Sequence, residues 1–79
     1  MKTIFQGNTG EQTLLEKHFL KVIAPEPTNA YMDVIVVYDD EKKQYRTHYI
    51  LNDISVGMWI ATIKNKNVER KYLPYLGTL

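Results

Sequence analysis

Cysteine is absent from this chain of 79 residues. Without a thiol the protein can form no disulfide, no thiolate nucleophile and no cysteine-ligated zinc site. Long apolar runs are also missing, since the longest aliphatic stretch is VIVV at residues 34–37, far too short to span a membrane. The N-terminal stretch MKTIFQGNTGEQ holds no apolar segment of the length found in signal peptides. A cytoplasmic protein without a membrane span is therefore expected.

An excess of one charge is also lacking. Ten lysines and arginines stand against nine aspartates and glutamates, which leaves a formal net charge of +1. No strong overall field therefore draws the protein towards nucleic acid or an anionic membrane. The composition, 44% hydrophobic and 24% charged, indicates a folded globular chain. Residues 1–79 form one small domain, and a domain of this size buries only about 60% of its unfolded surface. A partner or a second subunit would add to that burial.

One amphipathic segment predicts a helix near the N-terminus. Thr9 and Gln12 have the T-x-x-Q spacing of a capping box, which predicts that the helix begins there. The prolines of APEPTN, residues 24–29, end it. Apolar residues at helical spacing predict the stripe that faces the core: Leu14, Leu15, Phe19, Val22 and Ile23.

The rest of the chain predicts strands. The segments are MKTIF at residues 1–5, YMDVIVVY at 31–38, QYRTHYIL at 44–51, MWIATIK at 58–64 and VERKYL at 68–73. DDEKK and NKN are read as hairpin turns, NDISVG as a break, and Pro74 as the end of the last strand. The expected fold class is α+β, with a single N-terminal helix packed on a four- to five-stranded antiparallel sheet in the order (β)αββββ.

The two hairpins can be registered from their loops. A first loop centred on residues 41–42 pairs the residues that the helix should cover: Tyr38 with Tyr45, Val36 with Thr47, Val34 with Tyr49 and Met32 with Leu51. A second loop centred on residues 65–66 places one set of side chains together: Trp59, Ala61, Ile63, Val68, Arg70 and Tyr72.

The opposite face of the first hairpin is too apolar to be left bare, and the chain has only one helix to cover a sheet. The tail PYLGTL, a second copy of the protein or a different partner could cover it. The expected partner-binding residues are Tyr31, Asp33, Ile35, Val37, Arg46, His48 and Ile50 on that face, with Tyr75 and Leu76 in the tail.

These features favour a protein-binding module that acts by occluding a partner protein, and they are compatible with a homodimer. A short chain without a catalytic motif is typical of phage and mobile-element inhibitors of host proteins, including anti-defence proteins. No cofactor and no metal are expected, because the spacings of a P-loop and of an EF-hand are missing. The same absence of motifs makes an enzyme unexpected.

Two alternatives stay open. The first is a nucleic-acid or nucleotide binder that uses the cations of the outer sheet face, Arg46, His48, Lys64 and Lys71, together with Tyr31. The second is a small enzyme in which His48 and Asp33 form an acid–base pair.

Overall fold

The computed structural model describes residues 1–25, 32–74 and 77–78. One helix and an antiparallel sheet make up this part of the chain, which confirms the predicted α+β fold. The elements in chain order are β1 (Lys2–Asn8), α1 (Leu14–Ile23), β2 (Asp33–Asp39), β3 (Gln44–Leu51), β4 (Ile54–Lys64), β5 (Asn67–Leu73) and the short β6 (Gly77–Thr78).

The main sheet follows chain order, β1-β2-β3-β4-β5, and every neighbouring pair is antiparallel. The predicted registers of both hairpins are confirmed, since Val36 lies opposite Thr47 and Ala61 lies opposite Arg70. Pairing between β2 and β3 ends at Asp33, so the predicted Met32 pair is not formed. Both registers hold because each loop has an even number of residues, which keeps the alternation of side chains intact.

Polar residues close the three tight turns. In the β2–β3 turn the side-chain Oδ1 of Asp39 accepts hydrogen bonds from the backbone N–H groups of Glu41, at 3.0 Å, and Lys42, at 3.2 Å. In the β3–β4 turn both Asn52 and Asp53 have positive φ, 52° and 62°, as a two-residue hairpin loop requires. The predicted break at NDISVG is therefore wrong, because β4 begins directly after this turn and runs through Ile54–Lys64.

The helix begins later than predicted. Thr13 is its N-cap: the Thr13 hydroxyl accepts from the Glu16 N–H at 3.1 Å, and Glu16 Oε1 accepts from the Thr13 N–H at 2.9 Å. The predicted start at Thr9 is wrong, since Thr9–Glu11 form a single 3₁₀ turn capped by Asn8. The capping-box spacing occurs twice in succession, and the second occurrence is followed by the helix.

The helix packs through only part of the predicted stripe, together with Leu20. Leu20 and Ile23 are buried against the sheet, whereas Leu14 is 85% exposed and Leu15 is 78% exposed. The core beneath the helix is formed by Val34, Val36, Tyr49 and Ala61, with Ala24 at the helix end. Phe19 joins this core edgewise to two rings, with centroids 6.2 Å from Phe5 and 5.2 Å from Tyr45. The prediction is confirmed for Phe19 and Ile23 and wrong for Leu14 and Leu15, while Val22 is 38% exposed.

Two polar contacts fix the helix end above the sheet. The Tyr49 hydroxyl donates to the carbonyl oxygen of Ala24 at 3.3 Å, in a buried position. On the other side, Arg70 Nε of β5 donates to the carbonyl oxygen of Val22 at 2.5 Å. Carbonyls of the last helical turn have no partner within a helix, so these donors satisfy groups that would otherwise depend on water.

Candidate functional site

The face of the sheet that points away from α1 is called the open face here. Registers across the sheet arrange its central side chains in three rows, because directly opposed residues of antiparallel strands point to the same side. The rows are Gln6, Ile35, His48, Met58 and Leu73; then Thr3, Val37, Arg46, Ile60 and Lys71; and then Asp39, Gln44, Thr62 and Glu69. Asp33, Ile50 and Ser55 form a further row at its margin. Most of these side chains are half-buried.

Polarity rises from one end of the open face to the other. The first row is mainly apolar, and Ile35 and Met58 flank His48 directly. The third row is polar and internally bonded, since Gln44 Nε2 donates to Thr62 Oγ1 at 3.3 Å. A surface with an apolar end and a polar end has the composition of a protein interface with a core and a rim.

Arg46 is the central cation of the open face. Its Nη2 lies 3.3 Å from Asp39 Oδ2, and the two side chains are 24% and 13% exposed. The backbone N–H of Lys42, with that of Glu41, and the Arg46 charge lower the pKa of Asp39, so this carboxylate stays ionised. Arg46 Nε is buried and has no hydrogen-bond partner among the described residues.

His48 is held in its neutral form. Burial lowers the pKa of its imidazole, and the neighbouring Arg46 charge lowers it further. Asp33 is a diagonal neighbour of His48 on the same face, since Asp33 pairs with Ile50 and His48 pairs with Ile35. No hydrogen bond or ion pair joins Asp33 to His48 within the described part of the chain. The geometry of an acid–base pair is not present.

A shallow groove of about 430 Å³ crosses the polar end of the open face. Three cationic side chains of the open face line it, those of Lys42, Arg46 and Lys71, together with the carboxylate of Glu69, which is paired with Lys64 at 3.3 Å. Arg70 also lines it, but its Nε donates to the carbonyl oxygen of Val22 on the other face. The lining residues are Lys42, Gln44, Arg46, Ile60, Thr62, Glu69, Arg70 and Lys71. Because Asp39 and Glu69 each have a cationic partner, the remaining charge of the groove is positive.

Four of the residues predicted to bind a partner come together on the open face: Ile35, Val37, Arg46 and His48. Asp33 is exposed at its margin. Ile50 lies opposite Asp33 and therefore on the same face, but it is buried, at only 6% exposed. Tyr31, Tyr75 and Leu76 lie outside the described residues.

Sequence reasoning missed the part of the open face that β4 and β5 contribute. The loop lengths register each hairpin, but a break at NDISVG leaves the two hairpins unjoined, so Met58 and Ile60 are not predicted to lie beside the first hairpin. The signal was the pair Asn52–Asp53, residue types that favour positive φ in two-residue turns.

The described part of the C-terminal tail does not lie over the open face. Gly77 and Thr78 pair with Ser55 and Ile54, so β6 extends the sheet beside β4. The described helix packs on the other face, and the described strands all lie within the sheet. Within this part of the chain, no layer of secondary structure covers the open face.

Neither the metal-binding potential of the described residues nor similarity to other proteins assigns a function to the open face. The described residues contain no cluster of His, Asp and Glu side chains suited to hold a metal ion. Their single α-helix is too short to cross a bilayer. Comparison of the chain with protein-family models finds no match, and comparisons with curated proteins and with solved structures find none either.

Proposed function

We propose that this protein is a binding module that docks its open face on another protein and occludes the surface it covers. The observation that supports this proposal is the half-buried apolar group of Ile35, Val37, Met58 and Ile60, over which no described element packs. Large uncovered apolar areas are uncommon on free monomers and are typical of interaction sites.

Charge defines the chemistry of the partner. The groove beside the apolar rows is lined by Arg46, which pairs with Asp39, and by Lys42 and Lys71, for which the described residues supply no ion pair. A partner surface with an apolar patch flanked by carboxylates would match both parts. Arginine pairs well with carboxylates at such interfaces and is enriched in their energetically dominant positions.

Occlusion needs no catalytic group. It is also the mode expected of a small phage or mobile-element inhibitor of a host protein. Affinity would come from burying the apolar rows, while the cations would orient the acidic partner and speed association.

Two groups of variants test the proposal in a pull-down from the host cell. Val37→Glu and Ile60→Glu place a charge in the apolar rows, and Lys71→Glu reverses an exposed charge that the fold does not need. The matched control is Ile63→Glu, because Ile63 is 47% exposed and lies on the other face.

One host protein should be retained by the wild type and by the control and lost by the open-face variants. Amide hydrogen exchange of the purified complex should then show protection in β2, β3 and β4. Retention of that protein by Lys71→Glu and by both apolar-row variants, all with wild-type thermal stability, would refute the proposal.

The cationic groove supports a nucleic-acid binder as a second candidate. Arg46 and Lys71 line the groove, while Lys64 is engaged by Glu69 and Tyr31 lies outside the described residues. Titration with a fluorescent single-stranded oligonucleotide at low and at physiological salt tests it, because phosphate contacts weaken steeply as salt rises. Absence of binding at low salt would exclude this candidate.

A further inference from the structure

The two edges of the sheet differ in charge. The edge strand β5 carries three consecutive charged and exposed residues, Glu69, Arg70 and Lys71. The opposite edge strand, β1, carries a single charge, Lys2, at its first position. Charged residues on an edge strand oppose pairing with another chain, and an edge without them permits it. The described residues place no strand on the outer side of β1.

An apolar groove of about 380 Å³ lies between β1 and the flank of α1. Ile4 and Phe5 line it from β1, and Leu15, Phe19 and Val22 line it from α1. Three of these side chains remain open to solvent: Leu15 is 78% exposed, Ile4 is 39% exposed and Val22 is 38% exposed. The pairing of β1 with β2 shifts between Thr3 and Phe5, which leaves Ile4 without a partner in β2.

Two of the residues that line this groove carry titratable side chains, Glu16 and His18. The carboxylate of Glu16 at its rim accepts the N–H of the helix N-cap, Thr13. Lys17 follows Leu15 by two residues, which at about 100° per residue turns it to the opposite flank of the helix. A mainly apolar surface therefore fits this groove better than a charged peptide would.

Gly7 of β1 has no role in the internal packing. It has no positive φ, and a Cβ added to it would meet no atom within 4 Å. Gly57 differs, because the ring of Tyr72 occupies the space that its Cβ would need. A glycine inside a strand with no internal reason is typical of a position that another backbone or side chain approaches closely.

We propose that β1 is the interface for a second copy of this chain, which pairs antiparallel through its own β1 about a twofold axis at Gln6. Antiparallel pairing about Gln6 sets Phe5 of each copy opposite Gly7 of the other, where the missing side chain leaves room for the ring. Lys2 lies at the end of the strand, so no like charges face each other at the centre. The two main sheets become one, with both helices on the same side, and Leu15 and Val22 of the two copies approach across the seam.

This dimer does not depend on the proposed function, because it uses one edge of the sheet and leaves the open face free. A C₂ interface must be self-complementary, and an uncharged strand beside an apolar groove satisfies that requirement. A second copy of the chain supplies such a surface, because its own β1 and groove have the same composition.

Sedimentation equilibrium of the full chain over a concentration series tests the inference. The wild type should reach twice its mass of 9.3 kDa. Leu15→Glu should weaken dimerisation about tenfold or more, because it places a charge in the seam. Gly7→Val should do the same by filling the space needed by Phe5. In dilute solution the monomer of Gly7→Val should stay fully folded by circular dichroism, since a Cβ at residue 7 meets no atom within 4 Å.

The control is Ile63→Glu, because Ile63 is an apolar residue of β4, 47% exposed and away from β1, and this variant should dimerise as the wild type does. A wild type that stays monomeric up to millimolar concentration would overturn the inference. So would a Gly7→Val variant that dimerises like the wild type, or protection of β1 amides by a different protein while the chain itself stays monomeric. A variant that no longer dimerises but still captures the host protein would show that this interface is distinct from the open face.

Discussion

Replacing Gly57 with alanine should destabilise the protein, and the effect should depend on Tyr72. The ring of Tyr72 lies across Gly57 and packs on Trp59, with ring centroids 5.1 Å apart. A Cβ at residue 57 would lie 2.9 Å from Cζ and 3.0 Å from Cε1 of Tyr72, and closer still to its hydroxyl oxygen. Such separations are shorter than carbon–carbon contact, so the ring must move away.

The size of the effect follows from what the ring loses. Tyr72 is 43% exposed, so rather more than half of its surface is buried. A buried aromatic side chain removes roughly 150–250 Å² from water, so about 100 Å² is at stake here, worth about 2.5 kcal/mol. Its pairing with Trp59 adds about 0.5–1.5 kcal/mol. Partial displacement of the ring should therefore cost about 2 kcal/mol, offset by about 0.4–1 kcal/mol because alanine restricts the unfolded chain. The net loss is about 1–2 kcal/mol.

A double-mutant cycle measures this dependence directly. Urea unfolding would be followed for the wild type, Gly57→Ala, Tyr72→Ala and the double variant. In the Tyr72→Ala background no ring needs to move, so alanine at residue 57 should stabilise the protein by about 0.4–1 kcal/mol. The change of sign is the decisive observation. An equal cost of Gly57→Ala in both backgrounds would show that the glycine is required for a reason other than the Tyr72 ring.

Three further outcomes are expected. Thr13→Ala should lower the free energy of unfolding by about 1 kcal/mol in thermal denaturation, because it removes the N-cap hydroxyl from the capping box, and a loss below about 0.3 kcal/mol would contradict the role of this cap. Thr47→Val should raise stability by about 1 kcal/mol, because the Thr47 hydroxyl is buried without a partner among the described residues; a less stable variant would show that the hydroxyl is bonded. His48→Gln should make the free energy of unfolding less sensitive to acid. Burial lowers the pKa of His48 in the folded protein below its ordinary 6.5. The wild type therefore loses stability as the pH falls from about 6.5 towards the pKa of the folded state. Parallel losses in wild type and variant between pH 7.5 and pH 5 would mean that His48 titrates normally.

The hairpin registers could be derived from the sequence because they depend on local quantities. Each loop length fixes which residues face each other, and alternation then assigns every side chain to a face. The β-branched run of β2 and the asparagine at residue 65, with φ of 56°, supplied the remaining signals. For the same reason, the half of the open face built by β2 and β3 was predicted largely as it is observed.

The buried side of the helix could not be derived in this way. Apolar residues from Leu14 to Ile23 span roughly two thirds of the helix circumference, at about 100° per residue. Periodicity alone therefore allows more than one packing face. The choice is made by tertiary contacts, since Leu20 and Ile23 meet the sheet core and the Thr13 cap sets where the helix starts.

The β4 contribution to the open face was missed for a related reason. Ser55 and Gly57 are common in loops, and they suggested a break between two separate hairpins. In the structure Gly57 lies within β4, and the ring of Tyr72 from the neighbouring strand occupies the space that a side chain at residue 57 would need. From the sequence alone, a glycine that is required by a contact with a neighbouring strand looks the same as a loop glycine.

Strands β1 to β5 lie side by side in the same order as along the chain. This order also bears on how fast the protein folds. From β2 to β5, each strand meets the next across a loop of a few residues, so the entropy lost on closing each loop is small. Chains dominated by such near-neighbour contacts fold faster than sandwiches or barrels of the same size. The slower steps should be those that involve β1 and α1, because they must be joined to strands much further along the chain.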